Sequence, residues 1–197
     1  MNIDISVNTD NNSSIDFELV FRMLNDELAE QKVSLSLVCA GGYVLQLNGY
    51  RGTNDVDAFF KSSAVIDSII RKVGDKFGIN KPDELWLNNS ISNMNPAPPD
   101  IYCKLVYQFS NLTVLAVDLI YLVGMKLTSA RGQDIKDVAE IIKNTKELKP
   151  FELLKTLARM DFTIDISILL DAYGEALGME WLEEFYKTHE EELGRLF

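Results

Sequence analysis

The sequence predicts an α/β or α+β fold, a small sheet flanked by helices and followed by a helical C-terminal part. Three observations carry this. Apolar residues recur at three- and four-residue steps over residues 15–31, 62–77 and 119–143, the period of an amphipathic helix. Short apolar runs at 33–40, 54–60, 101–109 and 112–118 read as strands. Their order is helix, strand, strand, helix, strands, helices, as in a sheet that helices cover.

The elements follow in turn. Residues 1–14 are rich in Asn, Asp and Ser and read as a flexible start. Ile15, Leu19, Val20, Met23, Leu24 and Leu28 then form one apolar stripe, so a helix runs to about Gln31. Val33 to Ala40 is a strand that ends on Gly41-Gly42. Gly42 to Asn48 has room for one or two helical turns, and Asn48-Gly49 and Gly52 mark a turn. Asn54 to Phe60 is the second strand. Val65, Ile66, Ile69, Ile70, Val73 and Phe77 set out the second helix. Residues 80–100 hold four of the five prolines and read as loop, with one turn around Glu84–Asn88. Ile101–Phe109 and Leu112–Asp118 form a hairpin candidate joined at Ser110-Asn111. Helical spacing returns from Leu119 to Lys143, interrupted at Gly132, and Pro150 to Phe197 is helical throughout, with breaks expected at Gly174 and Gly178. The chain thus divides into a flexible start at 1–14, a sheet-containing domain at 15–149 and a helical extension at 150–197 packed on it.

A chain of 197 residues with 47% hydrophobic content can bury a real core. Its net charge of −11 disfavours a non-specific grip on nucleic acid, which needs a basic face. Cys39 and Cys103 lie in apolar segments and read as buried thiols. Without clustered histidines they make neither a zinc site nor a disulfide framework. Residues 1–14 have no apolar stretch of the signal-peptide kind. The longest apolar run, near 112–125, is broken by Asp118 and Gly124 and is too short for a bilayer. The expectation is therefore a cytoplasmic protein with no membrane partner.

The chemistry concentrates in residues 38–60. Asp55 and Asp57 stand two apart on a predicted strand, so they project from one face, roughly 7 Å apart at their base. Two like charges that close repel unless a cation or base lies between them. Magnesium takes one or two carboxylates together with substrate phosphate oxygens. In two-metal phosphoryl transfer one ion activates the attacking oxygen and the other steadies the leaving group. Upstream, Gly41-Gly42 follows a strand and offers free backbone N–H groups to an anion. Arg51 and Thr53 lie between the two features. Arg51 either contacts a phosphate or pairs with Asp55 or Asp57, and Thr53 either braces the turn or touches the ligand. An isolated Asp-x-Asp is common, and a lone Gly-Gly is usually a tight turn; the combination points to a nucleotide.

Gly41-Gly42 followed by Arg51-Gly-Thr53-Asn-Asp55-Val-Asp57 resembles the signature of the nucleotidyltransferase fold in its AbiEii-like branch. A second block of that branch, a helical Lys-Leu-x-Ala-x-Arg followed by Asp-x-x-Asp, is matched by Lys126-Leu-Thr-Ser-Ala-Arg131 and Asp134-Ile-Lys-Asp137, with the alanine shifted by one place. Trp86-Leu87-Asn88 recurs between the blocks in small members. The resemblance covers about residues 15–145. It implies a nucleotidyltransferase-like mixed sheet flanked by helices. It implies transfer of a nucleoside monophosphate from an NTP, with Mg2+, to a hydroxyl on RNA or protein. Asp55 and Asp57 would bind the metal, Gly41 and Gly42 would seat the triphosphate, and Lys126 would contact phosphate. Arg131, Asp134 and Asp137 would organise the helical block. Some members of the branch are toxins of bacterial toxin–antitoxin pairs and modify tRNA, which adds a tRNA or protein acceptor and an antitoxin-like partner to the expectations. The chain departs from the wider superfamily in having Tyr43 where many members have Ser after the glycines. A third acid usually completes the metal site; Asp118 is the best candidate, and its alternative role is an N-cap for the helix that follows. These departures leave a second class open, a catalytically inactive nucleotide-binding or protein-interaction module on the same fold.

Read without the resemblance, Lys126, Asp134 and Asp137 would fall within about 80° of one another on an unbroken helix. The alternative to a functional group there is a solvated face of paired charges. In the C-terminal part, Glu183, Glu184 and Glu190–Glu192 read as a solvated face, His189 as a surface residue, and Trp181, Phe185 and Tyr186 as the packing side of a terminal helix.

Overall fold

The computed structural model describes residues 15–93, 96–145 and 148–195, so the expected flexible start lies outside the described residues. Helix α1 spans Phe17–Glu30 and is capped by the Asp16 carboxylate, which accepts from the amides of Glu18 and Leu19. It is followed by β1 (Leu35–Cys39), α2 (Gly41–Leu47), β2 (Val56–Phe59) and α3 (Ala64–Phe77). Next come β3 (Leu87–Asn88), two short 3-10 turns, β4 (Cys103–Gln108) and β5 (Leu112–Val117). The helices α4 (Leu119–Ser129), α5 (Gly132–Asn144), α6 (Pro150–Arg159), α7 (Ile166–Leu177), α8 (Met179–Thr188) and α9 (Glu190–Leu193) complete the chain.

The strands form one mixed sheet in the order β3-β2-β1-β5-β4. The pairs β1/β5 and β2/β3 are parallel, while β1/β2 and β4/β5 are antiparallel. This topology decides where the functional edge lies. The C-terminal ends of β1 and β5 and the N-terminal start of β2 meet at one edge, where Cys39 pairs with both Ala58 and Ala116. The mixed sheet with flanking helices is the expected nucleotidyltransferase-like fold.

One apolar core links all parts, from Phe17 to Leu193. On α1, Val20, Leu24 and Leu28 of the expected stripe are fully buried, as is Phe21, which the stripe did not include, whereas Leu19, which it did, is exposed. Phe17, Phe21, Tyr43 and Trp86 pack as an aromatic cluster, with Phe17 edge-on to Tyr43 at 5.3 Å. Helix α5 packs on α7 and α4 on α6, so the C-terminal helices share the core of the sheet-bearing part.

Several expectations are corrected. The turn lies at Lys81–Glu84, and Leu87–Asn88 is a strand that pairs with Val56–Asp57. Two residues are too few to show a period; pairing with β2 makes the strand, through the Val56 amide donating to the Trp86 carbonyl at 2.6 Å. Gly174 does not break a helix but lies inside α7, where its missing side chain admits Leu182 of α8. The unforeseen break falls between α6 and α7, at residues 160–165, where Asp161 takes a positive φ of 64°. His189 is partly buried, not a plain surface residue: its ring stacks on Phe185 at 4.3 Å. Cys39 is buried as expected, whereas Cys103 on the edge strand is only half-buried.

Candidate functional site

The site is built on the strand edge described above. Asp57 is the second residue of β2, and its backbone carbonyl accepts from the Ala40 amide at 2.8 Å. That bond fixes the acid beside the turn from β1 into α2. Gly41 takes a positive φ of 59°, and a methyl group added there would overlap the Asp57 carboxylate. A methyl on Gly42 would come within 2.7 Å of the Thr53 hydroxyl. The two glycines are therefore required by close approach of the carboxylate and the threonine. Ala40 provides no side-chain cap for α2.

Asp55 stands just before β2, and Thr53 braces it: the Thr53 hydroxyl donates to its Oδ1 at 2.9 Å, and the Thr53 amide donates to Gln46. Of the two roles read for Thr53, the brace is present in the structure. The other Asp55 oxygen accepts from the Lys81 ammonium at 2.7 Å. Asp55, Asp57, Gly41, Gly42, Arg51 and Thr53 line one polar cavity of about 300 Å³, closed on the far side by Lys126, Arg131, Gln133, Asp134 and Asp137. A smaller cavity of about 110 Å³ shares Gly41, Asp57 and Arg131 and has Ile91, Leu122 and Met125 as apolar walls.

The far side is an ion network spanning two helices. Lys126 on α4 is buried, and its Nζ donates to Asp134 at 2.9 Å and to Asp137 at 2.7 Å. Arg51 donates through Nε and Nη2 to both oxygens of Asp137, at 2.8 and 2.9 Å. Arg131 donates through Nε to Asp134 at 2.7 Å, and Gln133 donates to Asp137. The helix is broken here, since Ala130 is left-handed at φ 51° between α4 and α5. The break is what folds α5 back so that its acids meet Lys126. Arg51 thus pairs with neither Asp55 nor Asp57 but with an acid 86 residues away. Its guanidinium ties the turn before β2 to α5, a contact that sequence spacing gives no sign of.

The two acid pairs differ electrostatically. Burial alone would raise the Asp137 carboxyl, but Arg51, Lys126 and Gln133 outweigh it and hold it at about 2. Asp134 is also held below the usual carboxylate range, where Arg131 and Lys126 outweigh burial. Asp55 is lowered because Lys81 and Thr53 outweigh its burial. Asp57 moves the other way. Burial raises it, the Asn88 side chain on the paired strand opposes the rise, and repulsion from Asp55 and Glu84 adds to it. Among the described residues Asp57 has no ion-pair partner.

Asp118 stays outside this group. It caps α4, accepting from the Ile120 amide at 2.9 Å, and pairs with Lys104 at 2.5 Å. It lines neither cavity that holds Asp57. Strand β1 lies between β2 and β5, so the two acids are separated by two strand spacings, roughly 10 Å. No group of three or more His, Cys, Asp or Glu side chains able to hold a metal ion occurs among the described residues. Among them, too, no helix is long and apolar enough to cross a membrane.

Sequence reading missed Gln133 in the cavity wall and Lys81 beside Asp55. Lys81 lies in the segment read as loop, and no spacing links it to Asp55; its proximity follows only from the pairing of β3 with β2.

A mixed sheet whose edge carries Gly-Gly against a strand acid, facing a helical Lys/Arg/Asp block, defines a nucleotidyltransferase-like protein. Residues 16–186 match the family described as "Nucleotidyltransferase of unknown function (DUF6036)", and the chain belongs to that family. No curated protein and no solved structure matches it.

Proposed function

We propose that the chain is a magnesium-dependent nucleotidyltransferase of the AbiEii-like kind, moving a nucleoside monophosphate from an NTP to a hydroxyl of RNA or protein. The observation that carries this is the shared cavity. Four carboxylates, two glycines and two arginines line one polar space of about 300 Å³, and one of the acids, Asp57, lacks a counter-ion among the described residues. The donor set fits a hard divalent ion, which needs one or two carboxylates and takes its remaining oxygens from water and phosphate. Asp55 and Asp57 would hold the ion, which when bound supplies charge neutralisation at the phosphates. Gly41 and Gly42 keep the floor of the cavity open for the triphosphate. Arg131 is a cation with donors to spare, because among the described residues only its Nε is engaged, by Asp134. Lys126 supports the cavity wall by fixing Asp134 and Asp137. In the transfer itself the acceptor oxygen bonds to the α-phosphorus, and the bond to the pyrophosphate leaving group breaks.

The test is incubation of the purified protein with each labelled NTP, Mg2+ and cellular RNA or protein extract. Transfer of label that is lost in Asp57→Asn is the expected outcome. Absence of label with every NTP and acceptor fraction would remove the catalytic reading. The position of Asp118 favours a second reading, a nucleotide-binding or protein-interaction module without turnover; retained NTP binding without transfer would support it. A toxin–antitoxin role is checked by expression, where growth arrest relieved by a neighbouring gene product is expected.

A further inference from the structure

Asp55 is the one acid of the proposed cation pair that is already neutralised, and the group that neutralises it has a second place to go. The Lys81 ammonium lies 2.7 Å from Asp55 Oδ2 and 2.9 Å from Glu84 Oε2. Glu84 belongs to Lys81's own turn, closed by backbone bonds in both directions between the two residues. Lys81 therefore keeps a carboxylate partner if it leaves Asp55. It also stands outside the polar cavity that Asp55 lines, so it does not fill the space a bound ion would take.

We propose that Lys81 is a positioning residue that serves as an internal counter-ion for Asp55, leaving that carboxylate and keeping Glu84 as its partner when a divalent cation binds. The proposal rests on the reading of Asp55 and Asp57 as the cation pair. Three features favour it. Asp55 Oδ1 is held by Thr53, so the carboxylate stays in place when Lys81 leaves. The lysine side chain is 50% exposed and Asp55 28% exposed, so the contact is weak and reversible; such pairs are worth up to about 1 kcal/mol, roughly fivefold in an equilibrium constant. Asp57 has no such partner among the described residues, so without Lys81 the two acids would repel one another uncompensated.

The test uses Mn2+ alone as probe, with affinity read from the free-ion paramagnetic resonance signal on the full chain. Lys81→Met is expected to bind Mn2+ about fivefold more tightly than wild type, and Lys81→Arg to remain near wild type. Glu84→Gln removes the alternative partner and is expected to weaken binding severalfold. In the Lys81→Met background the same Glu84→Gln change is expected to do little, because Glu84 acts through the lysine. Unchanged or weaker binding by Lys81→Met would overturn the proposal, as would a Glu84→Gln effect undiminished in the double variant. If wild type binds Mn2+ through Asp57, with loss in Asp57→Asn, and Lys81→Met changes nothing, the counter-ion role fails while the cation reading stands. If no variant binds Mn2+, both fall.

Discussion

Two pairs of aspartates face each other across one cavity, and they have opposite fates. Asp134 and Asp137 on α5 are buried and meet three cations, Arg51, Lys126 and Arg131. Among the described residues, Asp55 and Asp57 at the start of β2 have one, Lys81, and it reaches only Asp55. The first pair uses its charge to hold a turn, two helices and a strand edge together. The second keeps charge in hand beside an open space. Chemically identical side chains thus differ in how many cations the fold delivers to each. An uncompensated acid in a cavity marks the site better than an acid count does.

That contrast can be broken by experiment. The largest expected effect is on transfer activity. Asp57→Asn is expected to lower labelling by at least about 10²-fold while leaving the thermal midpoint at or above that of wild type, because it removes a half-buried, repelled charge. A large loss of stability in this variant would show that Asp57 is structural after all. Lys126→Met should do the reverse. It leaves two buried carboxylates short of a cation, and breaking a buried ion pair from one side costs about 3–5 kcal/mol. Urea unfolding is the measurement, and a midpoint close to wild type would mean that Lys126 is not the keystone of the network.

Acid comes next. The Asp137 carboxyl lies at about 2 in the folded chain against an ordinary value of 3.8. Its contribution to stability is full above the unfolded value and is lost as pH falls through the folded one, because the unfolded chain then binds more protons. The expected loss between about pH 4 and 2 is on the order of 1–2 kcal/mol after solvent screening. Asp137→Asn should flatten that part of the profile. The smallest effect is at Asp118. Asp118→Ala removes an N-cap and should cost about 1 kcal/mol, with labelling close to wild type. A drop in labelling well beyond the loss of folded protein would bring Asp118 into the reaction.

The helices were legible wherever an apolar stripe repeats over three turns or more, as on α1 and α3, because burial of one face dictates the period. The hairpin β4–β5 and the strand into Gly41-Gly42 were legible because turn residues bound them. The strand at Leu87–Asn88 was not, since two residues carry no period, and the break between α6 and α7 contains no glycine to announce it. Within the site, Asp55 and Asp57 were legible as a pair from their spacing; Lys126, Asp134 and Asp137 were expected to meet on one unbroken helix, but they meet because the chain breaks at Ala130 and α5 folds back. The partner of Arg51 and the presence of Lys81 were not legible, because both contacts join segments far apart in the chain.

The sequence by itself determined the class of fold, its nucleotidyltransferase-like character and the types of side chain at the edge, because periodicity, turn residues and local spacing are properties of neighbours along the chain. Only the tertiary structure decided which acids are neutralised. Charge compensation depends on distance in space, and here it follows from sheet order: β1 between β2 and β5 keeps Asp118 away. The left-handed Ala130 turns α5 back onto Lys126, and the pairing of β3 with β2 brings Lys81 to Asp55.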